Sequence, residues 1–184
     1  MTTSIVKAYK ILVNKHMTVY NAFQTGFLMA GGDFIAQTVV EKKSLESYDT
    51  VRTAKFFGIG LLFVGPTISA WYKFLDKKFT AQVRQLANKK TAVFKKVALD
   101  QLIFAPVFIA AIISVIDLSE GGEVRKIPCE LGKKYPDILL ANYKLWPWVQ
   151  LVNFYFVPLK HQVLLVQSVA VLWNTYISFK THEN

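Results

Sequence analysis

Long stretches without a single charged residue constrain this chain more than any other feature. Six such runs occur, at 17–32, 34–40, 56–72, 101–116, 145–159 and 162–179. A membrane-spanning helix needs roughly 20 mostly apolar residues, and flanking charged side chains can reach back toward water. A helix of a soluble bundle would keep a polar face at helical period, which 102–116 lacks. The pattern therefore predicts an all-α, polytopic membrane helix bundle.

Composition agrees with this interpretation and excludes several classes of protein. Hydrophobic residues make up 53% of the 184 residues and charged residues only 18%, which argues against disorder and against an ordinary soluble surface. The only cysteine, Cys129, has no partner for an internal disulfide. On an apolar chain, a net charge of +10 indicates basic segments against an anionic membrane. We therefore expect one membrane domain over 1–184, without direct nucleic-acid binding.

The charge-free runs and their flanks place four spans and three interfacial helices. The spans are predicted at about 17–40, 53–75, 95–117 and 160–179, and the interfacial helices at about 3–15, 121–143 and 147–157. The stretch 145–180 would extend over roughly 54 Å as one helix, against a hydrocarbon core of about 30 Å. Pro158 is expected to break it, because proline removes a backbone donor and crowds the preceding turn.

The basic residues suggest an orientation and a lipid partner. With four spans, the N-terminus, the 73–96 loop and the C-terminus share one side, which carries twelve Lys and Arg against nine on the other. This small excess favours the matrix or cytosolic side for the N-terminus. The 73–96 loop has eight bases and one acid, so we expect it to bind anionic lipids. Thr80 follows two lysines there and is a candidate regulatory phosphorylation site.

Polar residues inside the predicted spans are the candidates for function, because a carboxylate at the bilayer centre costs about 2.5–3.5 kcal/mol. Asp33 brings Gln37 onto its own helix face one turn later. The full set is Asp33, Gln37, Asp100, Gln101, Gln150 and Asn153. Such residues could line a water-filled path for ions or small molecules, or they could lock helices together in a non-conducting scaffold.

Other residues in the runs suggest helix bends and membrane-interface anchors. Helix bends are expected at Gly65, Pro66, Pro106 and Pro158. Aromatic residues near the ends of the runs are predicted to anchor the protein at the interface, namely Trp71, Tyr72, Trp146, Trp173 and Tyr176.

Signals for catalysis are poor. The three histidines are scattered, and no Cys/His cluster suits zinc. No phosphate-binding glycine motif and no nucleophile elbow occurs. We therefore expect no enzyme activity, no catalytic residue, no metal and no cofactor.

Motifs spaced along most of the chain carry a family resemblance. They comprise Gly32-Asp33 with Gln37, Gly65-Pro66 with Trp71-Tyr72-Lys73 and Leu75-Asp76, Asp100-Gln101 with Ala105-Pro106, and Trp146-Pro147, Gln150, Asn153-Phe154, Val157-Pro158, Trp173-Asn174, Tyr176 and Ser178. In order and spacing they resemble the Mpv17/PMP22 family of small organelle membrane proteins. Many members carry Arg where this chain has Gln162, so a charge at that site is not expected here.

The resemblance implies a four-span protein, and the Ser69-Ala70 pair before Trp71 is similar to the mitochondrial inner-membrane branch rather than the peroxisomal one. It further implies a non-selective channel or metabolite-conducting protein that moderates membrane potential and reactive oxygen species. The same branch is linked to nucleotide pools and to maintenance of mitochondrial DNA. Ions or small-molecule solutes and further copies of the chain are the partners to expect.

Overall fold

The computed structural model describes residues 16–86 and 89–182, with side chains described for 16–79 and 89–173. Within these residues the chain forms five continuous helices, which confirms the all-α prediction. The predicted helix at 3–15 lies outside the described residues.

The five helices are numbered in chain order, and three of them contain a π turn. Helix α1 is Met17–Ile35 and continues into a π turn at Ala36–Val40. Helix α2 consists of Thr50–Ile59, a π turn at Gly60–Val64, and Gly65–Leu86, and helix α3 consists of Lys89–Leu99, a π turn at Asp100–Phe104, and Ala105–Ser119. Helix α4 is Ile127–Phe156, preceded by a short 3-10 turn at Val124–Lys126, and helix α5 is Leu159–His182.

Two of the described helices are long and apolar enough to cross a membrane, Thr50–Phe79 and Lys89–Ser119. They contain the spans predicted at 53–75 and 95–117. Large apolar side chains of α3 face outward, including Leu102 and Val107, about 70% exposed. Such a surface is typical of a helix that faces lipid. Leu159–Trp173 is a shorter apolar helix, and α1 is more polar, so the spans at 17–40 and 160–179 stay predictions.

Prolines explain two of the π turns. Pro66 and Pro106 each lie two residues after a π turn. Proline has no N–H for the preceding turn, and its ring crowds the carbonyl four residues earlier. A wider turn with one extra residue relieves this crowding while the helix continues. At these two predicted bend sites, the structure therefore has widened turns in unbroken helices.

Three predicted boundaries differ from the structure. The segment 73–96 is helical up to Leu86 and again from Lys89, so the predicted loop consists mainly of helix ends. The interfacial helices predicted at 121–143 and 147–157 are one helix, α4, which continues through Pro136 and Pro147. At Pro158 one helix ends and the next begins, because Val157 is extended between α4 and α5.

The chain divides into two compact units. Unit 1 comprises residues 1–73 and 159–184, and unit 2 comprises 74–158. In unit 1, α1 packs against α2 and α5. Glycines bring the backbones together, because a Cβ on Gly65 would lie 2.6 Å from Cα of Ala22, and one on Gly60 2.8 Å from Cα of Gly26. Small residues permit this close approach in membrane helix pairs.

In unit 2, α3 packs along α4. Lys96 is buried and its Nζ lies 3.1 Å from Oδ1 of Asp76, which joins α3 to the part of α2 that belongs to this unit. At the C-terminal end of α4, the ring centroid of Tyr155 lies 4.5 Å from Nζ of Lys89. These contacts hold the basic ends of α2 and α3 within unit 2.

Candidate functional site

All six polar candidates from the sequence are buried. Asp33 and Gln37 lie in unit 1, whereas Asp100, Gln101, Gln150 and Asn153 lie in unit 2. Burial removes their polar atoms from solvent and from lipid, so each atom needs a partner inside the protein or a water molecule. The partners of these atoms therefore bear on whether a residue locks helices or lines a path.

Asp33 is the centre of a network that joins α1 to α2, here called the Asp33 cluster (Asp33, Gln37, Arg52 and Thr53). Nε of Arg52 lies 2.7 Å from Oδ1 of Asp33, and the two side chains form an ion pair. The Thr53 hydroxyl donates to Oδ2 of Asp33 at 2.6 Å, and Nε2 of Gln37 donates to the same oxygen at 2.8 Å. The carboxylate is therefore neutralised and hydrogen-bonded where it is buried.

The connection between α1 and α2 extends this network. Asp49 caps α2 by accepting from the Arg52 backbone N–H, and its own N–H donates to Oε1 of Gln37 at 2.8 Å. Glu41 accepts from Arg52 Nη1 at 2.7 Å and lies 2.8 Å from Lys43 Nζ. Partial burial raises the pKa of Glu41, but the hydrogen bonds from Lys43 and Arg52 outweigh it and lower the pKa overall.

Closer to its N-terminus, α1 carries a second polar group, here called the Asn21 cluster (Asn21, Gln24, Thr25 and Ser69). Nδ2 of Asn21 donates to Oγ of Ser69 at 3.1 Å. Oδ1 of Asn21, both polar atoms of the Gln24 side chain and Oγ1 of Thr25 are buried without a hydrogen-bond partner among the described residues. Asn21 and Thr25 are fully buried. Four unsatisfied polar atoms on one helix face mark a place that needs water or a polar solute.

Unit 2 contains an amide-based network, the Asp100 cluster (Asp100, Gln101 and Asn142). Nε2 of Gln101 donates to Oδ2 of Asp100 at 2.8 Å, and Oε1 of Gln101 accepts from Nδ2 of Asn142 at 3.1 Å. The π turn that begins at Asp100 adds one residue to the helix and so rotates the following side chains by about 100°. The network connects α3 to α4 and satisfies the Gln101 amide on both sides.

Farther along α4, Gln150 and Asn153 lie one turn apart. Nδ2 of Asn153 donates to Oε1 of Gln150 at 3.0 Å, and Oδ1 of Asn153 has no hydrogen-bond partner among the described residues. Asn153 is fully buried. The described part of unit 2 therefore also contains an unsatisfied buried acceptor, although only one.

The remaining predicted residues have different surroundings. Tyr72 is only 3% exposed, so it does not contribute an exposed ring to an aromatic belt. Trp71, Trp146 and Trp173 are half-buried, and their anchoring role stays a prediction. The side chains of Thr80 and Tyr176 lie outside the described part of the structure.

Sequence reasoning missed several members of these clusters. Arg52 was counted only as a loop cation, because nothing local links it to Asp33 in the chain. Asn142 lay in a segment interpreted as interfacial. The Asn21 cluster did leave a signal, since Asn21 and Thr25 precede Asp33 by twelve and eight residues, both multiples of four, on the same helix.

Comparison with known proteins identifies a protein family and close relatives of this chain. The family model described as Mpv17 / PMP22 family matches residues 117–178. The mitochondrial inner membrane protein Mpv17 of Danio rerio is 40% identical over 177 residues, which cover 96% of this chain and 97% of the relative.

Relatives from two other organisms match the chain to a similar extent. Mpv17 of Homo sapiens is 38% identical over 176 residues, with 96% of this chain and 97% of the relative covered. Protein SYM1 of Eremothecium gossypii is 37% identical over 178 residues, with 96% of each covered. No solved structure matches the chain.

Identity at this level over nearly the whole length agrees with the spaced motifs and with the apolar outward surface of α3. The chain is therefore a protein of the mitochondrial inner membrane, and it belongs to the Mpv17/PMP22 family.

Proposed function

We propose that this protein conducts ions or small polar solutes across the mitochondrial inner membrane with weak selectivity. The observation that carries the proposal is the set of four unpartnered, buried polar atoms in the Asn21 cluster. An unsatisfied polar group in a hydrocarbon environment costs several kcal/mol, whereas water in a lined cavity removes that cost. A helix bundle that only needed to be rigid would pair these atoms or replace them with apolar groups.

Weak selectivity follows from the charges beside the polar residues. In the Asp33 cluster and its extension, Arg52 and Lys43 neutralise Asp33 and Glu41, so that Asp49 leaves a single net negative charge. The Asn21 cluster contains only amides and hydroxyls. Selective channels use rings of like charge or ordered carbonyls, and neither is present in the described part of unit 1.

In the inner membrane, a weakly selective conductance would lower the membrane potential and so limit the formation of reactive oxygen species. Passage of small metabolites would in turn support nucleotide pools and maintenance of mitochondrial DNA. The proposal assigns no enzymatic step to the protein, because the sequence offers no catalytic motif.

A non-conducting scaffold is the second candidate, and a specific observation favours it. Asp33 and Gln101, both predicted as path-lining residues, are held in direct hydrogen bonds between helices, from Thr53 and Asn142 respectively. Buried polar networks of this kind join helices in membranes without any path. The two candidates therefore differ in what they expect of the Asn21 cluster, which is hydrated in a conducting protein and dry in a scaffold.

Reconstitution of the purified protein tests the proposal. Planar-bilayer conductance and efflux of small solutes from liposomes are measured for the wild type and for Thr25→Val, which removes a hydroxyl and keeps the shape. Leu62→Val, at an outward-facing position of α2, is the control. We expect conductance in the wild type and a decrease only in Thr25→Val. A folded wild type without conductance would support the scaffold instead.

We also propose that anionic lipids bind the basic helix ends within 73–96. Lys77, Lys78, Lys89 and Lys90 are exposed there, and anionic headgroups attract such clusters by about 1 kcal/mol per base. Lys89→Gln with Lys90→Gln should weaken co-flotation with anionic vesicles. Lys133→Gln with Lys134→Gln is the control, because these two exposed lysines already contact Glu130. Equal loss in both pairs would indicate a general charge effect.

A further inference from the structure

We infer that a polar path runs along the buried face of α1 and that Met29 closes it. The path consists of the side chains at every fourth position of α1 and its π turn: Asn21, Thr25, Met29, Asp33 and Gln37. All five are at least nine-tenths buried. Residues four apart on a helix are neighbours, and Gln37 bonds to Asp33 in this way at 2.8 Å. Met29 is the one apolar member of this row.

The row is long enough to matter for transport. From Asn21 to Gln37 a helix rises by about 24 Å, against a hydrocarbon core of about 30 Å. Charged groups lie beyond both ends. Near the Asn21 end of the row, Lys73 Nζ donates to Thr18 Oγ1 at 2.6 Å. Beyond the Gln37 end, Lys43 Nζ lies 2.8 Å from Oε2 of Glu41. Polar groups therefore accompany the row across most of a membrane.

The Asn21 cluster is the binding site on this path, and its chemistry defines the ligand. The open atoms comprise an amide donor and acceptor on Gln24, an acceptor on Asn21 and a hydroxyl on Thr25. Such a mixture of uncharged donors and acceptors suits water and small neutral solutes that carry both kinds of group. Close backbone packing at Gly60 and Gly65 restricts the room beside it, which favours small occupants.

Met29 separates this site from the Asp33 cluster. An apolar constriction in a narrow polar path stops conduction by losing its water, without any blocking charge. Methionine is suited to such a gate, because three rotatable bonds let the side chain swing aside without movement of the backbone. The inference rests on the proposed conduction and adds to it the location of the closure.

The test replaces Met29 by residues that separate polarity from size. Met29→Gln keeps the length of the side chain and hydrates the constriction, whereas Met29→Leu keeps it apolar. Leu62→Gln, on an outward-facing position of α2, controls for a glutamine placed in a membrane helix. In reconstituted bilayers, Met29→Gln should raise conductance about tenfold, equivalent to about 1.4 kcal/mol. Met29→Leu and Leu62→Gln should stay at the wild-type level.

A blocking experiment locates the current. In a Cys129→Ser background, a small water-soluble thiol reagent should abolish the Met29→Gln current when Thr25→Cys is also present, and should leave it intact otherwise. A raised current that the reagent does not block would overturn the path along α1. Met29→Thr serves in place of Met29→Gln if circular dichroism shows that the latter does not fold.

The outcomes separate the gate from the proposed function. If the wild type conducts and neither polar substitution at Met29 changes the current, the gate is wrong and conduction stands. If no variant conducts although all are folded, both the gate and the proposed conduction are overturned.

Discussion

The two halves of α1 are equally buried and yet opposite in how their polar groups are satisfied. In the second half, the Asp33 carboxylate has an ion pair and two hydrogen bonds, and Gln37 bonds to the chain before α2. In the first half, the Asn21 cluster has one hydrogen bond between side chains and four open atoms. Burial alone therefore does not distinguish a structural lock from a site that takes a ligand.

Each half is joined to α2 in a different way. Side chains join the second half, through Arg52 and Thr53. Backbone contact joins the first half, where a Cβ on Gly60 or Gly65 would collide with Gly26 or Ala22. Because glycine contacts hold the helices together there, the polar side chains beside them are free to serve another purpose.

The largest effect is expected from removal of Arg52. Arg52→Gln leaves the Asp33 carboxylate buried without its counter-charge, which costs about 3 kcal/mol of unfolding free energy, near the lower end for such pairs because Arg52 is 26% exposed. Denaturant unfolding in detergent micelles measures the loss. Asp33→Asn added to Arg52→Gln should recover part of it, and the exposed Arg125→Gln should change little. Equal losses at Arg52 and Arg125 would contradict the lock.

Glycine substitutions test the backbone contact in the first half. Gly60→Ala forces a methyl group against the Gly26 backbone, and overpacking of this kind costs about 1–3 kcal/mol. Gly58→Ala lies two residues away, where a Cβ meets nothing within 4 Å, and should be neutral or slightly stabilising. Thermal unfolding of both variants gives the comparison. A neutral Gly60→Ala would mean that the two helices are not packed as described.

Two threonines allow the same substitution to be made in both halves. Thr53→Val removes a hydroxyl that donates to Asp33 at 2.6 Å, so an unsatisfied carboxylate oxygen should cost about 1–3 kcal/mol. Thr25→Val removes a hydroxyl without a partner among the described residues, and stability should be unchanged or higher. Denaturation curves of the pair measure the difference. If Thr25→Val were the more destabilising, the Asn21 cluster would be structural.

The smallest effect is a pH dependence from Glu41. Its pKa is lowered in the folded protein from a reference of 4.5, so its contribution to stability is present at neutral pH and lost as the pH falls through the folded pKa. Stability measured down to about pH 4 should therefore decrease less in Glu41→Gln than in the wild type. The difference should be under about 1 kcal/mol, because solvent screens the pair. Parallel pH profiles would remove Glu41 from the network.

Local patterns in the sequence predicted the helices and the buried polar residues, because charge-free runs and spacings of four residues act within one helix. The break at Pro158 followed from its missing N–H. The sequence did not predict the π turns before Pro66 and Pro106, because a proline can bend, break or widen a helix.

The sequence could not predict which side chains of different helices contact each other. Arg52 meets Asp33 across 19 residues of chain, and Asn142 meets Gln101 across 41. Nothing local encodes such pairs. For the same reason the sequence left open whether Asp33 lines a path or locks two helices, a choice that depends on its partners.

Reactivity toward a small, hydrophilic thiol reagent tests the central claim most directly, since it reports water at chosen buried positions. In a Cys129→Ser background, Thr25→Cys represents the Asn21 cluster and Ile109→Cys represents a buried, apolar position of α3. The account predicts that Thr25→Cys reacts in the folded, reconstituted protein and that Ile109→Cys is protected. Protection of both would mean that the first half of α1 is dry, and would contradict the account.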